Sequence, residues 1–321
     1  MKYAFVARHV AEFAVALMCR ALEVSVSGYY AWRRRAKAGP SAHERADAVL
    51  SAHIRTAFLA GRGVYGSPRI HAALRATGVR CARKRVARLM RLHGLAAGRP
   101  RRRKPRTTDS QHTQPIAPNV LARDFSAEAP NRKWVADITG IPTRSGWLYL
   151  AGILDVYSRR AIGYAMDGSR DERLVETALD MALVGRRPRS GQLLHHSDRG
   201  SQYSSTGYRG IIEEHGIRMS MSGKGEPYDN ALMESFFSTL KAECVERQDF
   251  QTPDEARTCI FEYLEVFYNR QRLHSSLGYL SLWAWSYECG PVESSDIVDT
   301  IDHVVRVSSE TDSSGRPSGC C

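Results

Sequence analysis

Apolar residues change their spacing once along this chain, near residue 129. Before that point they recur every three or four positions, which is typical of helices with one buried face. After it, short and nearly continuous apolar runs are bounded by turn residues, which is typical of strands. The pattern therefore predicts all-helical modules followed by an α/β domain.

The first helical unit is predicted over residues 1–38. Two short helices within residues 9–36 are joined by a turn, which is the layout of a helix-turn-helix. The second helix follows a Ser cap and ends in three arginines that we expect to contact DNA phosphates, Arg33, Arg34 and Arg35. Helical hairpins that touch no DNA share this pattern, so the pattern alone leaves both interpretations open.

A second, basic helical module is predicted over residues 39–98. Its helices are expected at residues 43–59, 68–76 and 79–93, with Ser67 as the N-cap of the middle one. Basic residues surround the apolar stripe of the last helix, and the expected phosphate contacts there are Arg83, Lys84 and Arg85. The alternative is an exposed helix whose long side chains cover its own core.

Residues 99–128 are rich in Arg, Lys, Pro, Thr and Gln and lack apolar periodicity, which predicts a flexible basic linker. The α/β domain follows over residues 129–285. Its strands are predicted at 133–142, 146–156, 161–166, the residues leading into Asp198, and 218–222. Its helices are predicted at 171–184, 206–215, 254–268 and a segment capped by Asp229. These elements predict a mixed sheet flanked by helices.

Charge follows the same division of the chain. Residues 1–106 carry 24 Lys and Arg against 4 Asp and Glu, whereas residues 107–321 carry 22 against 30. A basic front part joined to a mildly acidic domain is typical of a nucleic-acid-binding module attached to something else. A solvated basic face is the alternative interpretation, and the size of the imbalance disfavours it.

Cysteine usage and hydropathy indicate a cytoplasmic protein. The first five of the seven cysteines are scattered without a CxxC pair, which disfavours a disulfide framework or a zinc finger and fits a reducing cytosol. No apolar run reaches the ~18 residues of a membrane span. The N-terminal apolar patch lacks a basic start and a small-residue cleavage site, so no signal peptide is expected.

Three carboxylates are the candidate catalytic residues. Asp137 lies on a predicted strand, Asp198 where a strand meets a Gly/Ser-rich turn, and Glu234 on a predicted helix. Each alone has a structural alternative, since Asp also caps helices and starts turns. Together they could share two Mg²⁺ ions, with Mn²⁺ as a possible substitute, for an in-line phosphoryl displacement.

Helical spacing adds a candidate to the Glu234 helix. Asn230, Glu234 and Lys241 share one face, so Lys241 is expected to point toward DNA phosphate beside the metal site. An ordinary solvated lysine is the equal alternative. Lys224, in the loop before this helix, is also assigned to DNA contact.

Several motifs in order carry a family resemblance over roughly residues 10–280. In the α/β domain they are WVADIT (134–139), LDVYSRR (154–160), HHSDRGSQY (195–203), YDNALMESFFSTLK (228–241) and YNRQRLHSSLGY (268–279). In the helical part they are SGYYAWRRR (27–35) and the stretch over 65–95. These motifs resemble insertion-sequence transposases of the retroviral-integrase (DDE) superfamily, in particular the second-frame protein (OrfB) of two-frame insertion sequences.

The resemblance implies a fold, an activity and partners. It implies an RNase H-like catalytic core in which Asp137, Asp198 and Glu234 are the metal-binding triad, and it matches Lys241 to the basic residue seven after the Glu. The implied activity is DNA cleavage and strand transfer. The implied partners are double-stranded DNA as terminal inverted repeats and target, further copies of the chain, and a first-frame (OrfA) protein.

The chain also departs from that family pattern. Glu226 and Pro227 stand where a small or polar residue is usual, and residues 282–286 replace the usual Pro-containing end. Residues 286–321 carry 7 acidic against 2 basic residues without periodicity, which predicts a disordered tail. Two alternatives therefore stay open: an inactive DNA-binding remnant or repressor, and a metal nuclease of the same fold acting on RNA–DNA hybrids.

Overall fold

Residues 1–98 and the remainder of the chain form two separate units in the computed structural model, which describes residues 1–98, 115–224 and 226–289. Within those ranges no helix has the length and apolar character needed to cross a membrane.

The first unit opens with three helices: the two predicted within residues 9–36 and an earlier one that the pattern did not predict. They are α1 (Lys2–Arg8), α2 (Val15–Ala21) and α3 (Val26–Ala38). Val6, Met18, Cys19 and Tyr29 form their shared core. Val10 and Phe13, which the spacing had placed on a helix, lie exposed in the turn between α1 and α2. The predicted Ser cap is confirmed, since the Ser25 hydroxyl accepts a hydrogen bond from the Gly28 N–H at 3.0 Å.

Three further helices complete the unit: α4 (Ala42–Ala60), α5 (Ser67–Ala76) and α6 (Arg83–Leu92). Ser41 and Glu44 form a capping box at the start of α4. Gly66, not Ser67, is the N-cap of α5. The third predicted helix starts four residues late, because Gly78 ends α5 at φ +80° and the chain stays non-helical up to Ala82.

The second unit is built on the predicted mixed sheet. Its strands are β1 (Lys133–Thr143), β2 (Gly146–Asp155), β3 (Ala161–Asp167), β4 (Leu194–Ser197) and β5 (Arg218–Met221), in the order β3-β2-β1-β4-β5. The first three pair antiparallel, whereas β4 pairs parallel with both β1 and β5. Two short strands, β6 (Leu273–His274) and β7 (Leu280–Ser281), form a separate ribbon.

Within the described ranges, four helices contact this sheet: α7 (Glu172–Arg186), α8 (Thr206–Glu214), α9 (Ala231–Glu243) and α10 (Pro253–Glu262). A further helix, α11 (Leu282–Cys289), contacts β7 of the short ribbon. Single turns of 3₁₀ helix lie at Ser201–Ser204, Pro227–Asn230, Val245–Arg247 and Ser275–Leu277. The predicted helix 254–268 divides into α10 and a π-helical segment, Tyr263–Tyr268.

Helix α7 lies directly on the sheet because Gly163 has no side chain. A Cβ there would lie 2.3 Å from the Ala178 carbonyl oxygen. Leu174 and Ala178 face the core as predicted. The inward assignments of Thr177 and Met181 are wrong, since both are exposed and Leu179, Ala182 and Leu183 are buried instead.

The end of the predicted linker is part of the second unit. Residues 99–114 lie outside the described residues, but residues 115–128 run along the sheet. The Val120 and Leu121 N–H groups donate to the Ser220 hydroxyl at 2.9 and 3.1 Å, and Leu121 is buried. The flexible-linker interpretation is therefore wrong for this segment.

The predicted tail begins later than residue 286. Helix α11 continues through Cys289, so residues 286–289 are helical. Residues 290–321 lie outside the described residues.

Candidate active site

Strand register brings Asp137 and Asp198 to the same level of the sheet. The parallel pairing of β1 and β4 ends at Val135 opposite His196, and each aspartate lies two residues further along its chain. Neighbouring strands are about 4.8 Å apart. Strand β4 ends at Ser197, so Asp198 is at the open carboxyl end, while β1 continues beside β2.

Helix α9 is fixed beside Asp137 by its first turn and by a glycine. The Asn230 amide donates to the Ala136 carbonyl oxygen at 3.3 Å. Gly152 lies opposite Asp137 in the β1–β2 register, and a Cβ there would lie 3.6 Å from the side chains of Met233, Phe236 and Phe237 on α9. Met233, Phe236 and Phe237 of α9 thus face the sheet, while Glu234 stays exposed.

The charges of Asp198 and Glu234 both act on Asp137. Burial raises the pKa of Asp137 well above its ordinary value, and the charges of Asp198 and Glu234 raise it further. The Ile138 N–H, 2.8 Å from Asp137 Oδ1, and Lys241 oppose that shift. The structure therefore brings the three predicted catalytic residues and the predicted lysine into one site.

Lys241 is half-buried rather than an ordinary solvated lysine. Burial lowers the pKa of its ammonium group, while Asp137 and Glu246 act to raise it. This supports the interpretation of Lys241 as a residue of the site.

Tyr203 is a residue of the site that the sequence did not single out. It is 2% exposed, and its hydroxyl has no hydrogen-bond partner among the described residues. Burial is the main cause that raises the pKa of Tyr203 well above its ordinary value. Tyr208 raises it further, and so do the charges of Asp137 and Asp198. The position of Tyr203 in the HHSDRGSQY motif was the available signal. Asp198 itself accepts a hydrogen bond from the Gly200 N–H at 2.9 Å.

His195 and His196 are buried structural residues. The Ser220 hydroxyl oxygen accepts hydrogen bonds from the Val120 and Leu121 N–H groups. Its own hydrogen is therefore free to be donated to Nδ1 of His196, 2.8 Å away. Nε2 of His196 then carries the proton and donates to the Ser222 hydroxyl at 3.2 Å. His195 Nε2 lies 2.6 Å from the Tyr208 hydroxyl. Neither histidine lines the cleft.

These histidines predict a loss of stability in acid. Burial lowers the pKa of His195 to about 3 and that of His196 to about 4, from 6.5 in the unfolded chain. The unfolded state therefore binds more protons between those values, and stability, complete above pH 6.5, falls as the pH drops. At pH 5 each histidine should lower the free energy of unfolding by about 2 kcal/mol relative to neutral pH.

Urea denaturation of the second unit at pH 7.5 and at pH 5 measures this loss. His196→Gln should be less stable at pH 7.5 but should lose less on acidification. His215→Gln, at an exposed histidine, is the matched control and should follow the wild type. Equal acid losses in wild type and His196→Gln would contradict the assignment.

Other predicted residues have mixed outcomes. Trp134 and His274, which lie in two of the family motifs, are both buried. Asp229 does not cap α9, because the N-cap is Asn230 and the Asp229 carboxylate binds elsewhere. Arg33, Arg34, Arg35, Arg83, Lys84 and Lys224 are exposed.

Arg85 differs from the other basic candidates. Its guanidinium lies 2.7 Å from Asp47, which also pairs with Arg88. Its charge is thus already paired within the first unit.

The donor set fits a hard divalent cation by its chemistry. Carboxylate oxygens suit Mg²⁺, and the crowding of Asp198 and Glu234 around Asp137 leaves negative charge that a cation would offset. Across residues 1–98, 115–224 and 226–289, no three His, Cys, Asp or Glu side chains are already grouped as a metal cage. An ion held here would take further ligands from water or phosphate, as Mg²⁺ commonly does.

Comparison with known proteins identifies the class first. Residues 127–227 match an integrase core domain, and residues 215–281 match a second model of that domain. Residues 44–104 match an HTH-like domain, so that match falls mainly on the predicted second module and not on residues 1–38. The second unit is an integrase catalytic core of RNase H-like fold.

Full-length relatives then identify the family. The chain is 46% identical over 264 residues to an insertion element IS600 uncharacterized 31 kDa protein of Shigella sonnei, covering 82% of this chain and 95% of that protein. It is 42% identical over 284 residues to transposase InsF for insertion sequence IS3A of Escherichia coli (strain K12), covering 88% and 96%. The chain belongs to the insertion-sequence transposases of the IS3 type.

Solved structures resemble the chain more distantly. A simian T-cell lymphotropic virus intasome in complex with PP2A regulatory subunit B56 gamma has 15% identity and a TM-score of 0.43, covering 69% of this chain and 72% of that one. The HTLV-2 integrase catalytic core domain in complex with magnesium has 14% identity and a TM-score of 0.40, covering 50% and 98%.

Proposed function

We propose that this chain cleaves DNA at the ends of an insertion sequence in a metal-dependent reaction. The freed 3′-hydroxyl then attacks a phosphodiester of the target DNA, so that the element's end is joined to the target and the target's own 3′-oxygen leaves. The observation that carries the proposal is the placement of Asp137 and Asp198 at one level of β1 and β4, with Glu234 in the same electrostatic field. Membership in a transposase family agrees with it.

In this proposal Asp137, Asp198 and Glu234 hold two Mg²⁺ ions, or Mn²⁺. Ions held by these carboxylates would stabilise the negative charge that develops during phosphoryl transfer. The protein orients the ligands beforehand, because the Ile138 N–H holds Asp137 and the Gly200 N–H holds Asp198. Lys241 places a positive charge beside Asp137, where a DNA phosphate would approach.

Exposed basic residues are proposed to position the DNA. Arg33, Arg34 and Arg35 project from α3, Arg83 and Lys84 from α6, and Lys224 from the loop before α9. Arg85 belongs to this set only if DNA displaces its contact with Asp47. Phosphate contacts of this kind fix register without reading sequence.

The partners follow from the family and are proposed on that ground. They are terminal inverted repeats, target DNA, further copies of the chain assembled on DNA, and a first-frame protein. The cytoplasm, where a bacterial insertion sequence meets the chromosome, is the proposed location.

Nicking of a labelled duplex that carries the element's own end tests the proposal. The full chain should nick it in Mg²⁺, and EDTA should abolish the nick. A duplex with a scrambled end of equal length is the control and should be cut much less.

Two other outcomes would each replace the proposal. Tight binding without cleavage, in Mg²⁺ or Mn²⁺ and with the first-frame protein added, would identify a DNA-binding remnant or repressor. Cleavage of an RNA–DNA hybrid without a terminal repeat would identify a hybrid nuclease.

A further inference from the structure

The loop between β5 and α9 is fastened by Asp229, a buried carboxylate that is not one of the three catalytic residues. Asp229 Oδ2 accepts from the Gly223 N–H and from the Asn119 amide, both at 2.8 Å, and Oδ1 accepts from Arg123 Nε at 2.9 Å. Burial acts to raise the pKa of Asp229, but Gly223 and Arg123 overcome it and hold the pKa below its ordinary value. Two of the three donors come from a segment more than 100 residues away in sequence.

That segment, residues 119–123, is called the clasp below. Ser220 on β5 accepts the N–H groups of Val120 and Leu121, and the Asn119 side-chain oxygen accepts the Ala122 N–H at 3.0 Å. Ala122 and Arg123 both have left-handed backbones, with φ of +46° and +64°. Such a conformation costs free energy in non-glycine residues and persists where the surroundings stabilise it.

Arg123 also binds the rest of the loop. Its second terminal nitrogen pairs with Glu226, and its guanidinium lies 5.9 Å from the centre of the Tyr228 ring. The Glu226 carboxylate, at a position where the family usually has a small or polar residue, is thereby paired with Arg123. One guanidinium thus holds three residues of the loop: Glu226, Tyr228 and Asp229.

We propose that Arg123 and Asn119 are positioning residues for catalysis, which act through Asp229 to set the place of Glu234. This inference rests on the proposed function. Asp229 immediately precedes Asn230, whose amide is bonded to Ala136 beside Asp137. Glu234 follows about one helical turn later. The clasp therefore fixes the start of α9, and with it the separation between Glu234 and the two aspartates.

Loss of the clasp would leave Asp229 buried with only the Gly223 donor. The loop would then open to hydrate that carboxylate, and Glu234 would sample several positions. A misplacement of about 1 Å in a catalytic group can cost ~10²-fold in rate. The rival explanation is that Arg123, whose side chain is 51% exposed, contacts DNA directly.

The test compares Arg123→Gln, Asp229→Asn and the double variant in the full chain. It measures the nicking rate against Mg²⁺ concentration, duplex affinity, and hydrogen exchange of the loop residues 222–230. Arg144→Gln is the matched control, since Arg144 forms an exposed pair with Asp249 away from this loop.

Arg123→Gln should nick ~10- to 100-fold more slowly. It should need more Mg²⁺ for half-maximal rate, exchange faster in the loop, and bind duplex as the wild type does. The double variant should be no slower than Asp229→Asn, because the two changes remove the same contact between Arg123 and Asp229. Arg123→Lys should recover part of the rate, and Arg144→Gln should match the wild type.

The proposal would be overturned if the rate loss of the double variant equalled the product of the two single-variant losses and if Arg123→Gln also bound duplex more weakly. That result would show that Arg123 acts on DNA directly. Wild-type rate and exchange in Arg123→Gln would overturn the proposal as well. If the wild type itself does not nick, the proposed function fails. Hydrogen exchange of residues 222–230 then tests the clasp separately, because it can be measured without catalysis. Faster exchange in Arg123→Gln would support the role of the clasp in holding the loop, and unchanged exchange would refute that role.

Discussion

Asp198→Asn is expected to abolish metal-dependent nicking while the chain remains folded. Asparagine keeps the size of the side chain but removes the charge that a divalent cation requires from its ligand. Loss of several kcal/mol of transition-state stabilisation corresponds to a rate loss on the order of 10³-fold or more. Nicking of the terminal-repeat duplex in Mg²⁺ measures it, with duplex binding as the parallel readout.

Stability should move in the opposite direction to activity. Asp198 raises the pKa of Asp137 through like-charge repulsion, so the metal-free variant should melt at or above the wild-type temperature. Mg²⁺ should raise the melting temperature of the wild type by binding the folded state and should raise that of the variant less. Asp249→Asn, at an exposed aspartate far along the chain, is the control for both readouts. Nicking by Asp198→Asn at the wild-type rate would remove Asp198 from the catalytic set.

The sheet and the positions of the carboxylates on it follow from local sequence. The apolar runs of β1, β2 and β3 are bounded by turn residues, so their predicted ends fall within one residue of the observed ones. The alignment of Asp137 with Asp198 depends instead on the parallel register of β1 with β4. No local pattern encodes that register, because it is set by how α7 crosses the sheet.

The clasp shows why the rest of the site was not predictable. Its sequence, Asn119-Val120-Leu121-Ala122-Arg123, is too short to show helical or strand periodicity and directly follows Pro118. Its contacts are backbone N–H groups bonded to Ser220 and side chains bonded to Asp229, about 100 residues away. Alanine in a left-handed conformation has no sequence signature either. Asp229 was assigned to helix capping for the same reason, since capping is the local explanation of an aspartate before a helix.

Removal of one partner of the buried Arg272–Glu243 pair should give the largest loss of stability. Arg272 Nε and Nη2 each donate to the Glu243 carboxylate at 2.7 Å, and the two side chains are 6% and 9% exposed. Tyr263 donates to the same carboxylate at 2.9 Å. Arg272→Met leaves that carboxylate buried without its counter-charge. The expected cost is about 3–5 kcal/mol, seen as a fall in melting temperature on the order of 10 °C.

Arg257→Met is the matched control for this loss, because Arg257 forms an exposed pair with Asp254 that should contribute about 1 kcal/mol or less. The double variant Arg272→Met with Glu243→Leu should recover part of the stability, since it removes both buried charges. Glu243 is the last residue of α9, so the pair anchors the end of the helix opposite the clasp. Arg272→Met should therefore also slow nicking below its own melting temperature. A variant as stable as the control would show that the pair does not hold α9 in place.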